Sequence, residues 1–145
     1  MSRAIRLTEE EMKYIAFFET LTQVVVKDCV IDHERNRIIF VVEKGQVGAA
    51  VGKEGRNVKL LQRLTGKNIE VIEYADSPKE LIKNCLYPAK VTNVQLTKYR
   101  DGRVVARVTV PPQEKGLAIG KHARNISRAS ILAKRYFGID KVIIE

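Results

Sequence analysis

An internal repeat constrains this chain more than any other feature. Gly48–Val58 reads GAAVGKEGRNV and Gly116–Ile126 reads GLAIGKHARNI. Every matched pair lies 68 positions apart, as 52 and 120 do. The identities are Gly48/Gly116, Ala50/Ala118, Gly52/Gly120, Lys53/Lys121, Arg56/Arg124 and Asn57/Asn125, with apolar swaps at Val51/Ile119 and Val58/Ile126. A repeat of this period divides 145 residues into two small copies of one supersecondary unit. The boundary is expected near Asp76, giving domains 1–75 and 76–145. No flexible linker separates them, so the copies are expected to be tightly fused.

The flanks repeat as well. Thr8 followed by Glu11 reads as a capping box, with Leu7 and Met12 as a hydrophobic staple. Tyr14, Phe17, Phe18 and Leu21 then mark an apolar helical face. Two β-branched runs follow, about Val24–Ile31 and Arg37–Val42, joined by the polar turn Asp32–Asn36. In the second copy Ser77-Pro78-Lys79-Glu80 reads as another capping box with Pro at the first helical position. Leu81, Ile82, Cys85 and Leu86 form its stripe, and Pro88 ends it. Strands about Lys90–Thr97 and Arg103–Val110 are joined through Asp101-Gly102, a strong hairpin signal.

After each hairpin the pattern predicts a short helix, the glycine segment, a longer helix and a last strand. Val58, Leu61 and Leu64 mark the first long helix, ending near Gly66. Ile126, Ala129, Ala133 and Tyr136 mark the second, ending near Gly138. Ile69–Ile72 and Val142–Ile144 close the copies. Each copy therefore reads αββααβ, an α/β (α+β) unit with a three-stranded sheet packed on helices.

A glycine loop ahead of a helix start has a chemical use. Glycine permits positive φ and close approach. The helix start offers unpaired N–H groups and a positive dipole end, which together cradle an anion. Residues 44–67 hold Lys44, Lys53, Arg56, Lys59, Arg63 and Lys67 against one acid, Glu54. Residues 115–135 hold Lys115, Lys121, Arg124, Arg128, Lys134 and Arg135 with no acid. Net charge is +9, with 12 basic against 11 acidic residues in 1–75 and 14 against 6 in 76–145. Clustered cations favour a polyanionic partner through counterion release. Asn57 and Asn125 stand at the helix starts, as caps or as base and sugar contacts.

Other chemistries fit worse. A phosphate-binding P-loop needs one more residue between its glycines than Gly48 and Gly52 allow, and Glu54 replaces the metal-binding hydroxyl. In the second copy His122 takes that place, and no G-x-G-x-x-G occurs. The two cysteines, Cys29 and Cys85, and the two histidines, His33 and His122, form no metal-ligand or catalytic spacing. No cofactor, metal or catalytic residue is expected, and the chain is read as a binding protein rather than an enzyme. The N-terminus shows no apolar leader and no run reaches membrane-span length, so a cytoplasmic protein with no membrane or small-molecule partner is expected.

G-x-x-G between two helices within an αββααβ unit resembles the KH domain, in which that loop clamps four backbone nucleotides. A helix before the hairpin and a strand at the end resemble the type II arrangement. Two fused type II KH domains are similar to the RNA-binding half of the NusA family of transcription termination/antitermination factors. The resemblance implies binding of single-stranded RNA and a role in transcription elongation or termination. It further implies the RNA polymerase elongation complex as a partner. The polymerase-binding and OB-fold domains of bacterial relatives do not fit into 145 residues. Carried across by position, the RNA-binding residues are Gly52, Lys53, Glu54 and Gly55, then Gly120, Lys121, His122 and Ala123. Arg56, Asn57, Arg124 and Asn125 follow directly. Ala123 departs from the pattern and suits positive φ poorly. The first loop is therefore expected to make the closer backbone clamp, and the second to supply more electrostatic attraction. The alternative function is a KH-containing ribosomal or ribonucleoprotein component.

Overall fold

The computed structural model describes residues 6–145. Residues 1–5, part of the first expected domain and of the stretch read as lacking a leader, lie outside the described residues. The chain groups into two compact units, Arg6–Tyr74 and Ala75–Glu145.

The N-terminal unit begins with α1 (Glu9–Thr22). Its capping box is formed: Thr8 Oγ1 accepts the Glu11 N–H at 3.1 Å, and the Thr8 N–H donates to Glu11 Oε1 at 2.8 Å. Glu9, Glu10 and Glu11 complement the positive end of the helix dipole. The apolar face is narrower than its spacing implied. Phe18 is fully buried and stacks on Phe40 with ring centroids 4.1 Å apart, whereas Phe17 and Met12 are exposed. Strands β1 (Val26–Asp32), β2 (Arg37–Val42) and β3 (Asn68–Glu73) form a sheet in that order. β1 pairs antiparallel with β2, and β3 pairs parallel with β2. A parallel return needs a crossover. That crossover carries α2 (Val47–Val51), a 3-10 turn and α3 (Arg56–Thr65). Phe18, Val26, Cys29, Ile38, Phe40, Val42, Ala50, Leu61 and Ile69 make up its core. Arg37 is buried in the sheet, where it bonds Asp32 at 2.8 Å and Glu70 at 3.1 Å, tying the three strands together.

The C-terminal unit repeats this plan. It comprises α4 (Pro78–Leu86), β4 (Asn93–Lys98), β5 (Val104–Thr109), α5 (Lys115–Ile119), α6 (Arg124–Phe137) and β6 (Lys141–Ile144). β4 and β5 are antiparallel, and β6 joins β5 in parallel. The hairpin closes through the Tyr99 N–H to Arg103 O at 2.8 Å, with Gly102 at φ 90°. Leu81, Ile82, Cys85 and Leu86 are all buried, and small Ala118, Ala129 and Ala133 pack inside with Leu132 and Tyr136. The second expected capping box does not form. The Ser77 side chain makes no cap hydrogen bond, and the Glu80 carboxylate accepts from Lys83 at 3.5 Å instead. Both long helices end in left-handed glycines, Gly66 and Gly138. Cys29 and Cys85 are buried and not joined in a disulfide. Among the described residues no helix is long and apolar enough to cross a membrane, and no three His, Cys, Asp or Glu side chains are placed to hold a metal ion.

Candidate nucleic-acid interface

Each crossover turns at its glycine segment with nearly the same backbone. Gly52 has φ 80°, ψ 168° and Gly120 has φ 80°, ψ 166°. This extended, positive-φ region is open in practice only to glycine. Glu54 (φ 57°) and His122 (φ 56°) are left-handed, as are Gly55 (φ 74°) and Ala123 (φ 59°). The turn therefore survives the loss of its last glycine. The left-handed region costs an L-residue about 1–2 kcal/mol, far from prohibitive.

Local contacts explain why only the first glycine of each motif is indispensable. A Cβ on Gly52 would lie 2.9 Å from Asn57 Nδ2, and one on Gly120 would lie 2.8 Å from Asn125 Nδ2. The asparagine carboxamides fill that space. Asn57 Nδ2 donates to the carbonyls of Ala49 and Ala50, both at 3.3 Å, and Asn125 Nδ2 donates to Leu117 O at 3.0 Å. Each asparagine thus staples the end of the short helix to the start of the long one. Of the two roles considered for Asn57 and Asn125, the structural one accounts for these amide donors. A Cβ on Gly55 would meet only Lys59 Cε at 3.7 Å, an ordinary contact.

The turns face solvent. Lys53, Glu54 and Arg56 are exposed, as are Lys121, His122 and Arg124. Within the first turn the Gly52 N–H bonds Gly48 O at 2.9 Å, the Gly55 N–H bonds Gly52 O at 3.1 Å, and the Arg56 N–H bonds Lys53 O. These bonds do not use the amides of Lys53 and Glu54, at the tip of the turn. Lys53, Glu54, Arg56, Lys59 and Arg63 line an open hollow of about 470 Å³ beside it. Among the described residues Lys53, Arg56, Lys59 and Arg63 form no ion pair. Glu54 is the one carboxylate in its lining, so an anion approaching this hollow meets four cations against one negative charge.

The charge balance between the loops differs from expectation. Arg128, counted among the cations of the second copy, is buried, and its guanidinium donates to the Cys85 carbonyl, at 3.0 Å from Nε. It caps the C-terminal end of α4, where an orphan carbonyl and the negative helix end favour a cation. Lys134 bonds Asp140 at 2.6 Å. That hydrogen bond, and then the Val104 N–H, hold the Asp140 carboxyl below the usual carboxylate range. Two of the cations counted toward the second loop, Arg128 and Lys134, are thus engaged by groups of the fold. Lys59 and Arg63, which the sequence shows only as nearby cations, line the same hollow as the turn. Their spacing of three and seven residues from Arg56 was the signal that could have included them.

The chain is similar to known proteins over nearly its whole length. Residues 78–144 match the family described as the NusA-like second KH domain, and residues 12–101 match the KH domain. The probable transcription termination protein NusA of Methanocaldococcus jannaschii is 36% identical over 138 residues, covering 95% of this chain and 74% of that protein. Its counterpart in Halobacterium salinarum is 37% identical over 138 residues, covering 95% and 96%. Among solved structures, the crystal structure of APE1850 matches with a TM-score of 0.88 and 37% identity, covering 96% of this chain and 100% of the other. With two αββααβ units, a repeated glycine turn and relatives alike over nearly the whole chain, this protein belongs to the NusA-like family of KH-domain proteins.

Proposed function

We propose that this chain binds single-stranded RNA through its two glycine turns and acts in transcription elongation or termination. On this reading residues 1–75 and 76–145 are the two RNA-binding domains. The contacts come from Gly52, Lys53, Glu54, Gly55 and Arg56 in the first and from Gly120, Lys121, His122, Ala123 and Arg124 in the second. Asn57 and Asn125 hold the turns in shape. The observation that carries the reading is one exposed, positive-φ turn built twice, each time with a lysine at its tip and an arginine at the following helix start. Such a turn presents backbone N–H groups and a dipole end to a phosphate, and the KH loop clamps nucleotides in this way. The similar proteins of M. jannaschii and H. salinarum bear the name of a probable transcription termination protein. The RNA polymerase elongation complex is the partner that name suggests, and the cytoplasm is where the two would meet. The chain acts by binding and carries out no reaction of its own.

Fluorescence anisotropy with labelled single-stranded RNA tests this. Affinity is expected to fall steeply as salt rises and to be higher for a single strand than for a duplex of the same sequence. Gly55→Asp combined with Ala123→Asp, at positions where a side chain fits, is expected to abolish binding. Equal affinity of that variant and the wild type would reject the assignment.

A further inference from the structure

The hollow beside the first turn extends past the loop itself. Arg56, Lys59 and Arg63 recur at intervals of three and four along α3, so they share one helical face. All three are exposed, and Arg56 to Arg63 spans about 10 Å along the helix axis. Lys59 also lies against the turn, its Cε 3.7 Å from where a Cβ on Gly55 would stand. The turn and the helix face therefore form one continuous basic surface. The C-terminal unit lacks this surface. Arg124 matches Arg56, but Ser127 and Ile131 occupy the positions equivalent to Lys59 and Arg63. Its next cation on α6, Arg128, is buried on the Cys85 carbonyl.

We propose that the Arg56–Lys59–Arg63 face of α3 is a phosphate track, along which a single-stranded RNA held at the first turn continues for about two further phosphates. This rests on the RNA-binding reading above and makes the two units unequal: the first holds a longer stretch of backbone than the second. The occupant is a ribose-phosphate chain because the surface is cationic and solvated and runs on from the turn. Apolar side chains that would seat a peptide are absent from its lining. A lone phosphate would need only the turn.

The experiment compares the full-length wild type with Lys59→Gln/Arg63→Gln. Glutamine keeps helix propensity while removing charge. Random-sequence labelled RNAs of four and twelve nucleotides are the probes, titrated across a salt series. A control, Lys13→Gln/Lys79→Gln, removes two cations from α1 and α4. On the twelve-nucleotide RNA the track variant is expected to lower the salt slope by about 1.4, at 0.7 per single-strand phosphate. From equal affinity at 1 M salt, that is about 25-fold weaker binding at 0.1 M. On four nucleotides, which reach little past the turn, the loss is expected to be smaller than on twelve. An unchanged slope, a loss equal to the control's, or the same loss on both lengths would overturn the track. Gly55→Asp, at a position where a side chain fits, separates the two readings. If it weakens binding while the track variant behaves as wild type, only the track fails. If it too leaves binding intact, the RNA-binding turn falls and the track with it.

Discussion

Gly52→Ala and Gly55→Ala add the same methyl group three residues apart, yet the structure assigns them different costs. At Gly52 the backbone sits at φ 80°, ψ 168°, which costs a side-chain-bearing residue about 1–3 kcal/mol. The new Cβ would also stand 2.9 Å from Asn57 Nδ2 and 3.2 Å from the Asn57 backbone nitrogen. Displacing that carboxamide removes its bonds to Ala49 and Ala50, worth about 0.5–1.5 kcal/mol each. The less flexible unfolded chain returns about 0.4–1 kcal/mol. The net loss lies between about 1 and 5.5 kcal/mol, centred near 3. At Gly55 the left-handed backbone costs about 1–2 kcal/mol, and the same entropic return leaves a net loss between about 0 and 1.6 kcal/mol, centred below 1. Urea unfolding of the full-length chain, followed by circular dichroism, measures both through the midpoint and slope. A loss for Gly55→Ala as large as for Gly52→Ala would refute the reasoning. The natural repeat already supplies the counterpart, since Ala123 stands where Gly55 does and keeps φ 59°. Ala123→Gly is accordingly expected to be neutral or stabilising by up to about 1 kcal/mol.

Asn57→Ala is expected to leave the fold intact but loosen the first turn. RNA affinity should then fall about ten-fold, or 1.4 kcal/mol, by anisotropy, and an unchanged affinity would remove the staple's role. Arg37→Met leaves Asp32 and Glu70 buried without their guanidinium, a loss of about 3–5 kcal/mol; a thermal midpoint within a degree of wild type would contradict this. Asp140 is held below the ordinary carboxylate range by Lys134 and the Val104 N–H. A depressed carboxylate contributes its stability above its ordinary range and loses it as pH falls through the lowered value. Carboxyl-carbon NMR should therefore find its midpoint below that range, moving upward in Lys134→Met.

The element plan was readable because its signals are local. The capping box at Thr8, the Asp101-Gly102 hairpin and the glycines ending α3 and α6 act over a few residues, and they hold in the structure. Legibility failed where a side chain had a choice of partners. Ser77 and Glu80 have the spacing of a capping box, but Lys83, one turn along, competes for the carboxylate. Phe17 has the spacing of a core residue, but the sheet beneath α1 is narrow, and it receives Phe18. In the candidate site, the repeat located both turns and named their residues, and it also exposed Ala123 as a departure.

By itself, then, the sequence determined that two copies of one αββααβ unit each carry a glycine turn beside cations, because repetition and turn chemistry are properties of neighbouring residues. Only the tertiary structure decided which of those cations stay on an open surface. Arg128 reaches the end of a helix 43 residues away, and Lys134 finds Asp140 across the end of α6, while Arg56, Lys59 and Arg63 remain on an open face. A charge has the same sign in any list of residues. Its use depends on which carbonyls and carboxylates folding brings within hydrogen-bond reach, and that is a property of packing alone.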